Sequence, residues 1–169
     1  PQATGVVICC LGRGTKQIET LMNRVKVYEA TIDLAAFSAT DDAEGERTPV
    51  EVSAPPTHES VAAACDQFVG RIEQVPPAHS AVHVNGKRAY ELARAGESFD
   101  LPTREVNIAS LELLRYAWPR LDLRVTCGKG TYIRSLARDL GSALGTGGHL
   151  TALRRTAVGE YKVEQAWPL

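Results

Sequence analysis

The sequence has no uninterrupted apolar run of the roughly 18 residues that a membrane-spanning helix needs. It also has no N-terminal signal peptide, no internal repeat and no low-complexity tract. The first residue is Pro1 rather than methionine, so we expect the chain to be a fragment of a longer polypeptide. These absences exclude an integral membrane protein and a repeat array, and they indicate a globular protein of the cytoplasm.

The sequence is also poor in cysteine, and none of its four cysteines has the C-x-x-C spacing of a zinc site. Cys9 and Cys10 are adjacent within an apolar run, so we interpret them as buried thiols of a cytosolic protein. The sequence therefore predicts that no metal is bound.

The net charge of −1 gives no overall sign of a nucleic-acid-binding protein. The two halves differ, however, because residues 1–84 hold 6 Lys/Arg against 11 Asp/Glu, whereas residues 85–169 hold 13 against 9. This asymmetry predicts a basic side on an otherwise acidic protein, which is suited to a polyanionic partner.

Hydrophobic periodicity predicts a mixed, β-rich domain. Residues 6–11 form a continuous apolar run typical of a buried strand, and residues 26–34 alternate so that Tyr28 shares a face with core residues. Residues 103–127 contain two further β-rich stretches, separated by Trp118-Pro119-Arg120. Apolar residues at helical spacing over residues 58–70, after Thr57, predict a capped amphipathic helix.

The segment over residues 128–141 carries an unusual set of polar groups at the start of a helix. Thr131 is the predicted N-cap, and one face of the helix is apolar through Ile133, Leu136, Ala137 and Leu140. Arg134 then lies in the first turn, against the positive end of the helix dipole, at a cost of about 0.3–1 kcal/mol. An anion near Arg134 would offset that cost. That anion can be a carboxylate from elsewhere in the fold or a nucleic-acid phosphate. Alternatively, Arg134 is an ordinary surface arginine that pairs with Asp139 or stays in water.

Seven short segments follow one another along the chain. In order they are PQATG, KVYEA, DAEGE, QVPP, GKRAYELAR, KGTYIRSLARDLG and LRRT. Their residues and order resemble the motifs of the TruB family of tRNA pseudouridine synthases. The resemblance runs through nearly the whole chain, and seven blocks in one order are far more specific than any single block.

The resemblance implies an α+β fold with a mixed, mainly antiparallel sheet and flanking helices, the pseudouridine synthase catalytic domain. On this interpretation residues 1–169 are that domain, incomplete at its N-terminus and without the C-terminal PUA domain of many relatives. The implied reaction is the isomerisation of uridine 55 in the T-arm of tRNA by a cytoplasmic, monomeric enzyme. The implied partner is tRNA, and the implied reaction uses no cofactor.

The resemblance also implies the roles of individual residues. The family's nucleophilic aspartate would immediately precede Pro1 and pair with Arg134, while Tyr28 would stack on the uracil and help to move a proton. Tyr132, Leu153, Lys129 and Asp42 would contact the substrate, and Lys87, Arg88, Arg154 and Arg155 would contact the RNA backbone. From the residues alone, the ordinary explanation is a core or surface tyrosine for Tyr28 and a core leucine for Leu153.

Two histidines depart from the family pattern. His79 replaces a tyrosine and His83 a lysine, and neither has a metal-like or triad partner, so we interpret both as structural or solvent-facing. Because the nucleophile lies outside the sequence, two alternatives stay open. One is a noncatalytic module that binds the T-arm and helps tRNA to fold, and the other is a relative that acts with guide RNA.

Overall fold

The computed structural model describes residues 3–84 and 86–168. Pro1 and Asn85, the first residue of an Asn-Gly pair whose sequence predicts a tight turn, therefore lie outside the described residues. The strands are β1 (Ala3–Gly5), β2 (Lys26–Asp33), β3 (Ala36–Ser38), β4 (Arg47–Pro49), β5 (Gly70–Gln74), β6 (His83–Val84), β7 (Lys87–Arg88), β8 (Arg104–Ala117), β9 (Arg120–Cys127), β10 (His149–Val158) and β11 (Tyr161–Lys162). The α-helices are α1 (Ile18–Asn23), α2 (His58–Gln67), α3 (Ala89–Arg94) and α4 (Ile133–Ala143), and short 3-10 helices cover Gly12–Gln17 and Val163–Gln165.

One seven-stranded sheet organises the molecule. Its strand order is β1-β10-β2-β9-β8-β5, with β11 paired to β10. The pairing of β1 with β10 is parallel and every other pairing in this sheet is antiparallel. The predicted α+β class with a mixed, mainly antiparallel sheet and flanking helices is therefore confirmed.

Alternating residues of the central strands explain how this sheet builds a core. In β9, Leu121, Leu123, Val125 and Cys127 are buried. The intervening Arg124 points to the other face, where it forms ion pairs with Glu29 at 3.1 Å and Glu112 at 3.2 Å. Because β-strand side chains alternate between faces, the apolar set of β9 is buried under the helices while its charged set faces solvent.

Helix α4 covers the buried face of the sheet. The four apolar residues that helical spacing places together are all buried: Ile133, Leu136, Ala137 and Leu140. The helix nevertheless begins at Ile133 with Tyr132 as its N-cap, so the prediction that Thr131 caps it was wrong. The Thr131 hydroxyl instead donates to the Gly128 carbonyl at 3.2 Å, because the chain is still turning through Gly130 at a φ of 82°.

Three glycines bring α4 into direct backbone contact with the turn before β10. A Cβ on Gly141 would lie 2.1 Å from the Gly147 carbonyl oxygen, and one on Gly148 would lie 2.2 Å from the Ala137 carbonyl oxygen. A Cβ on Gly147 would lie 2.4 Å from the backbone of Ala36. We call Gly141, Gly147 and Gly148 the glycine seam, since only residues without a side chain fit there.

Helix α2 follows the prediction at its start. The Thr57 hydroxyl oxygen accepts a hydrogen bond from the Ser60 backbone N–H at 3.2 Å, as expected of an N-cap. The helix ends at Gln67 rather than at Gly70, because Gly70 has a φ of 102° and begins β5.

The apolar run over residues 6–11 contradicts the prediction of a buried strand. Strand β1 ends at Gly5, and within the run only Val6 is buried, whereas Val7 is 65% and Leu11 84% exposed. Cys9 is exposed as well, so its assignment as a buried thiol was also wrong. The run lacks the alternation that would give it a buried face, and after Val6 it leaves the edge of β10.

None of the helices in the described ranges is both long and apolar enough to cross a membrane. Within the same ranges, no cluster of three or more His, Cys, Asp or Glu side chains is placed to hold a metal ion.

Candidate active site

Arg134, the second residue of α4, lies against a carboxylate from a distant part of the chain. Its Nη1 donates to Asp42 Oδ2 at 3.0 Å and to the Thr40 carbonyl at 3.3 Å, and its Nη2 donates to the His79 carbonyl at 2.9 Å. The Asp42 side chain is 9% exposed and that of Arg134 25%. The partner of Arg134 is thus Asp42, and Asp139, the alternative considered from the sequence, pairs with Arg138.

The contacts of Arg134 leave part of its binding capacity unused. A guanidinium carries five N–H groups, and three of those of Arg134 donate to the acceptors above. Among the residues that the structure describes, nothing accepts from the other two. A carboxylate or phosphate takes two parallel N–H groups of an arginine, so Arg134 retains the donors for a second anion.

Arg134 opens into a cleft of about 350 Å³. The cleft is lined by Thr40, Asp42, Glu44, His79, Ser80, Ala81, Tyr90, Arg94 and Arg134. Its walls come from the loop after β3, the segment between β5 and β6, and helices α3 and α4. It therefore mixes cationic, anionic and hydroxyl groups from parts of the chain that are far apart in sequence.

The turn that carries Asp42 is fixed by its own hydrogen bonds. Asp42 Oδ1 accepts from the Thr40 hydroxyl and from the Glu44 backbone N–H at 3.1 Å, and the Ser38 hydroxyl donates to the Asp42 carbonyl. Asp42 also forms a parallel bridge with Leu150 of β10. Only Oδ2 of Asp42 is left for Arg134.

Asp41 and Arg138 form a second ion pair beside the first, and sequence reasoning missed it. Arg138 Nη1 donates to Asp41 Oδ2 at 2.8 Å, Nη2 donates to the Val75 carbonyl at 2.9 Å, and Nε donates to Asp139 at 2.9 Å. Burial raises the pKa of the Asp41 carboxyl, although the nearby Arg138 and Arg134 act in the opposite direction. A signal was available, because arginines four residues apart lie on one face of a helix.

Tyr28 and Leu153 lie on the face of the sheet that α4 covers. Both are partly buried against the core, and the register pairs Tyr28 with Arg155 and Leu153 with Ala30. Burial raises the pKa of Tyr28, partly offset by Arg155, so its hydroxyl stays protonated at neutral pH. Neither residue is among those that line the Arg134 cleft.

Strand β1 gives the direction of the chain's first described residues. It runs parallel to β10 with Ala3 opposite Leu153, on the edge of β10 that β2 leaves free. Asp42 bridges Leu150 on that same edge, three residues earlier in β10. Three strand residues span about 10 Å, and the N-terminal end of β1 is the end nearer to Asp42.

Two of the predicted substrate residues precede or begin α4. Tyr132 is half-buried, and its backbone N–H donates to Gln74 Oε1 at 2.8 Å. Lys129 is exposed in the loop before the helix. Neither lines the cleft beside Arg134.

The four predicted RNA-backbone residues do not form one surface. Lys87 and Arg88 are exposed beside α3, with Lys87 3.5 Å from Glu97 and Arg88 above the ring of Tyr90. Arg154 and Arg155 alternate along β10, so they point to opposite faces of the sheet. Arg155 Nε donates to the Val6 carbonyl at 2.8 Å, while Arg154 is exposed.

The predicted histidines have different surroundings. His79 is half-buried at the cleft, and its backbone carbonyl accepts a hydrogen bond from Arg134. His83 is exposed. His149, which the motif analysis did not single out as a candidate, is fully buried and its Nδ1 lies 2.9 Å from the Ala36 carbonyl.

Solved structures contain chains with a similar arrangement of sheet and helices. The crystal structure of a Cbf5-Nop10-Gar1 complex contains a chain that matches with a TM-score of 0.64 and 28% identity, over 90% of this chain and 36% of that one. A structure of an H/ACA RNP bound to a substrate RNA containing 2'-deoxyuridine matches with a TM-score of 0.60 at 23% identity, which is a likeness of fold.

Sequence comparison is more specific. Residues 1–133 match the TruB family pseudouridylate synthase N-terminal domain, and residues 134–169 match the tRNA pseudouridylate synthase B C-terminal domain. The tRNA pseudouridine synthase B of Phocaeicola vulgatus is 48% identical over 97% of this chain. Those of Corynebacterium aurimucosum and Thermobifida fusca are 47% and 49% identical over 100% and 98% of it. The chain belongs to the TruB family, as the resemblance predicted.

These relatives are longer than the chain. It spans 70% of the length of the Phocaeicola protein, 58% of the Corynebacterium protein and 59% of the Thermobifida protein.

Proposed function

We propose that this chain is the catalytic part of a tRNA pseudouridine synthase that converts uridine 55 of the T-arm into pseudouridine. The observation that carries the proposal is the arrangement at Arg134, which faces a cleft and keeps two N–H donors in addition to its contact with Asp42. An arginine held in this way is suited to orient a carboxylate and to lower its pKa.

The proposed nucleophile is an aspartate immediately before Pro1. The direction of β1 supports this, because its N-terminal end lies toward the Asp42 bridge and hence toward the partner of Arg134. The carboxylate would attack either the base or the sugar of the flipped-out uridine, and its bond to the substrate would break again before the product is released. The bond from C1' to N1 breaks, the uracil rotates, a bond from C1' to C5 forms, and the C5 proton is removed while N1 gains one.

The other family residues keep the roles that the resemblance implies. Tyr28, whose hydroxyl stays neutral, would stack on the uracil and take part in the proton transfer. Leu153 and Tyr132 would border the base, and Lys129 and Asp42 would contact the substrate. Lys87, Arg88, Arg154 and Arg155 would bind RNA phosphates, so affinity for tRNA would fall as salt is raised.

We further propose that residues 1–169 act as one catalytic domain and as a monomer, in the cytoplasm. The boundary between the two matched family models falls at the start of α4, yet α4 and β10 share one core with β2 and β9. The chain is 47–49% identical to the three tRNA pseudouridine synthase B proteins and 23–28% identical to the Cbf5 and H/ACA proteins. This difference favours action without guide RNA.

Two measurements test the proposal. The first is the residue encoded directly before Pro1: aspartate supports the enzyme, and any other residue overturns the proposed nucleophile and favours a noncatalytic tRNA-binding module.

The second is tritium release from T-arm RNA labelled at uridine C5. We expect Arg134→Ala to lower turnover by about 100-fold or more, because a misplaced nucleophile loses its attack geometry.

Arg124→Ala is the matched control for Arg134→Ala. It removes an arginine from the opposite face of the sheet, where Arg124 forms ion pairs with Glu29 and Glu112, and we expect turnover within about twofold of wild type. Equal turnover in the two variants would remove Arg134 from the site.

A further inference from the structure

Two consecutive aspartates of one turn are held by two arginines of one helix. Arg134 and Arg138 lie one turn apart on α4, and they bind Asp42 at 3.0 Å and Asp41 at 2.8 Å respectively. The Arg134 and Asp42 pair faces the cleft, whereas Arg138 and Asp41 are absent from its lining. The second pair therefore has no direct access to a substrate in that cleft.

Asp41 is the residue through which the turn is attached to the rest of the fold. Its backbone N–H donates to the Ser38 carbonyl, and its own carbonyl accepts from the Leu150 N–H of β10, both at 3.0 Å. Its φ of 60° is in the left-handed region, which aspartate tolerates better than most residues. With the bond from Arg138 added, Asp41 connects β3, β10 and α4 at the position just before Asp42.

Burial disfavours the ionised form of Asp41. Its side chain is 12% exposed, and burial raises its pKa despite the adjacent Arg138 and Arg134. A buried ion pair of this kind adds little to stability and is better explained by the single arrangement that it enforces. Arg138 strengthens that arrangement, because it also donates to Asp139 and to the Val75 carbonyl.

We propose that Asp41 and Arg138 are positioning residues that set the orientation of Asp42 and thereby keep two N–H donors of Arg134 available for the nucleophile. This rests on the function proposed above. With the turn fixed, Asp42 Oδ1 is occupied by the Thr40 hydroxyl and the Glu44 N–H, and only Oδ2 reaches Arg134. A loosened turn lets the second oxygen of Asp42 bind Arg134 as well, which occupies one of the two free N–H donors and leaves too few for bidentate binding of the nucleophile.

The test is steady-state kinetics of the full-length protein on T-arm RNA, with kcat and KM measured separately. Asp41→Asn keeps the size of the side chain and its tolerance of the left-handed region but removes the charge. We expect it to lower kcat by about 10- to 100-fold with little change in KM, the range produced by small displacements around a reacting centre. Asp139→Asn is the matched control, because it removes the charge of a more exposed partner of Arg138 while keeping an Oδ1 that can accept from Arg138 Nε, and its kcat should stay within about twofold of wild type.

A double-mutant cycle identifies the pair. If Asp41 and Arg138 act together, Asp41→Asn combined with Arg138→Gln costs no more in kcat than the worse single variant, whereas independent residues give multiplied losses. Arg138→Lys is the second variant should Asp41→Asn fold poorly. It keeps the charge but cannot hold Asp41, Asp139 and the Val75 carbonyl at once, so its kcat should also fall.

Several results would overturn the inference. They are a wild-type kcat in Asp41→Asn or in Arg138→Lys, multiplied losses in the double variant, or a loss confined to KM. Arg134→Ala separates this failure from that of the proposed function. If Arg134→Ala loses turnover while the Asp41 and Arg138 variants do not, only the positioning role is wrong; if Arg134→Ala keeps its turnover, the proposed site itself is wrong.

Discussion

Residues 6–11 are apolar throughout, whereas strand β9 alternates polar with apolar residues, yet it is β9 that supplies buried side chains to the core. In β9, Leu121 and Leu123 are fully buried and the backbone pairs with β2 on one side and β8 on the other. In the earlier run, Val7 and Leu11 are exposed, and its backbone link to the sheet is the bond from the Val6 N–H to the Arg155 carbonyl. Burial in this fold follows from alternation and from partners on both edges, not from apolar content alone.

The largest expected difference between the two regions is in stability. Leu123→Ala should lower the free energy of unfolding by about 2–5 kcal/mol, because it leaves a cavity in the packed core. Leu11→Ala should change it by no more than about 0.5 kcal/mol, because the side chain is 84% exposed. Urea denaturation of both variants measures the difference. A loss of similar size in Leu11→Ala would show that the run is buried in solution.

A smaller effect is expected at Gly5, the last residue of β1, where the chain enters residues 6–11. This residue has a φ of 98°, and a Cβ there would lie 2.1 Å from the Arg155 carbonyl oxygen. Gly5→Ala should cost about 1–3 kcal/mol and remove the hydrogen-exchange protection of the Val6 amide. Gly14→Ala is the control, since it has open space around it. An unchanged Val6 amide in Gly5→Ala would mean that β1 does not pair with β10 as described.

The smallest perturbation uses the cysteines: Cys9 lies within residues 6–11, Cys127 lies in β9 and Cys65 lies in α2. Cys9 is exposed and should react with a thiol reagent within the folded protein, whereas Cys65 and Cys127 are buried and should react only on unfolding. Burial raises the pKa of Cys65 from 9.0 to about 11, so the thiolate is disfavoured in the folded state. Stability should therefore fall as pH rises from 9.0 toward 11, and Cys65→Ala should reduce that fall. Mass spectrometry after labelling, and urea denaturation at pH 8 and pH 10, check both statements.

Much of the fold was predictable because its elements carry strong local signals. The alternation in β2 and β9, the apolar face of α4 and the Thr57 cap of α2 all agree with the structure. The start of α4 was misplaced by one residue, with Tyr132 rather than Thr131 as its N-cap, since the position of a cap depends on turn geometry as well as on residue type. The run at residues 6–11 failed because a short apolar run without alternation does not define a face.

The candidate site was predictable in part. That Arg134 needs an anion follows from its place in the first turn of a helix, but its partner Asp42 lies in a loop far away in sequence, and no local pattern connects the two. The pair of Asp41 and Arg138 was missed for the same reason. The roles of Tyr28, Tyr132, Leu153 and Lys129 came from the resemblance, and their proximity to a bound uridine stays a prediction.

The geometry of the cleft depends on the glycine seam, although none of its three residues lines the cleft. Because α4 meets the turn before β10 with no side chain between them, the thickness of one methyl group is enough to push the helix away from the sheet. The guanidinium groups of α4 would then move with the helix, while the turn that holds their acidic partners stays attached to β10. The alignment of the α4 arginines with Asp41 and Asp42 thus depends on the absence of side chains at the three seam glycines. A substitution in the glycine seam can therefore distort the cleft although no seam residue lines it.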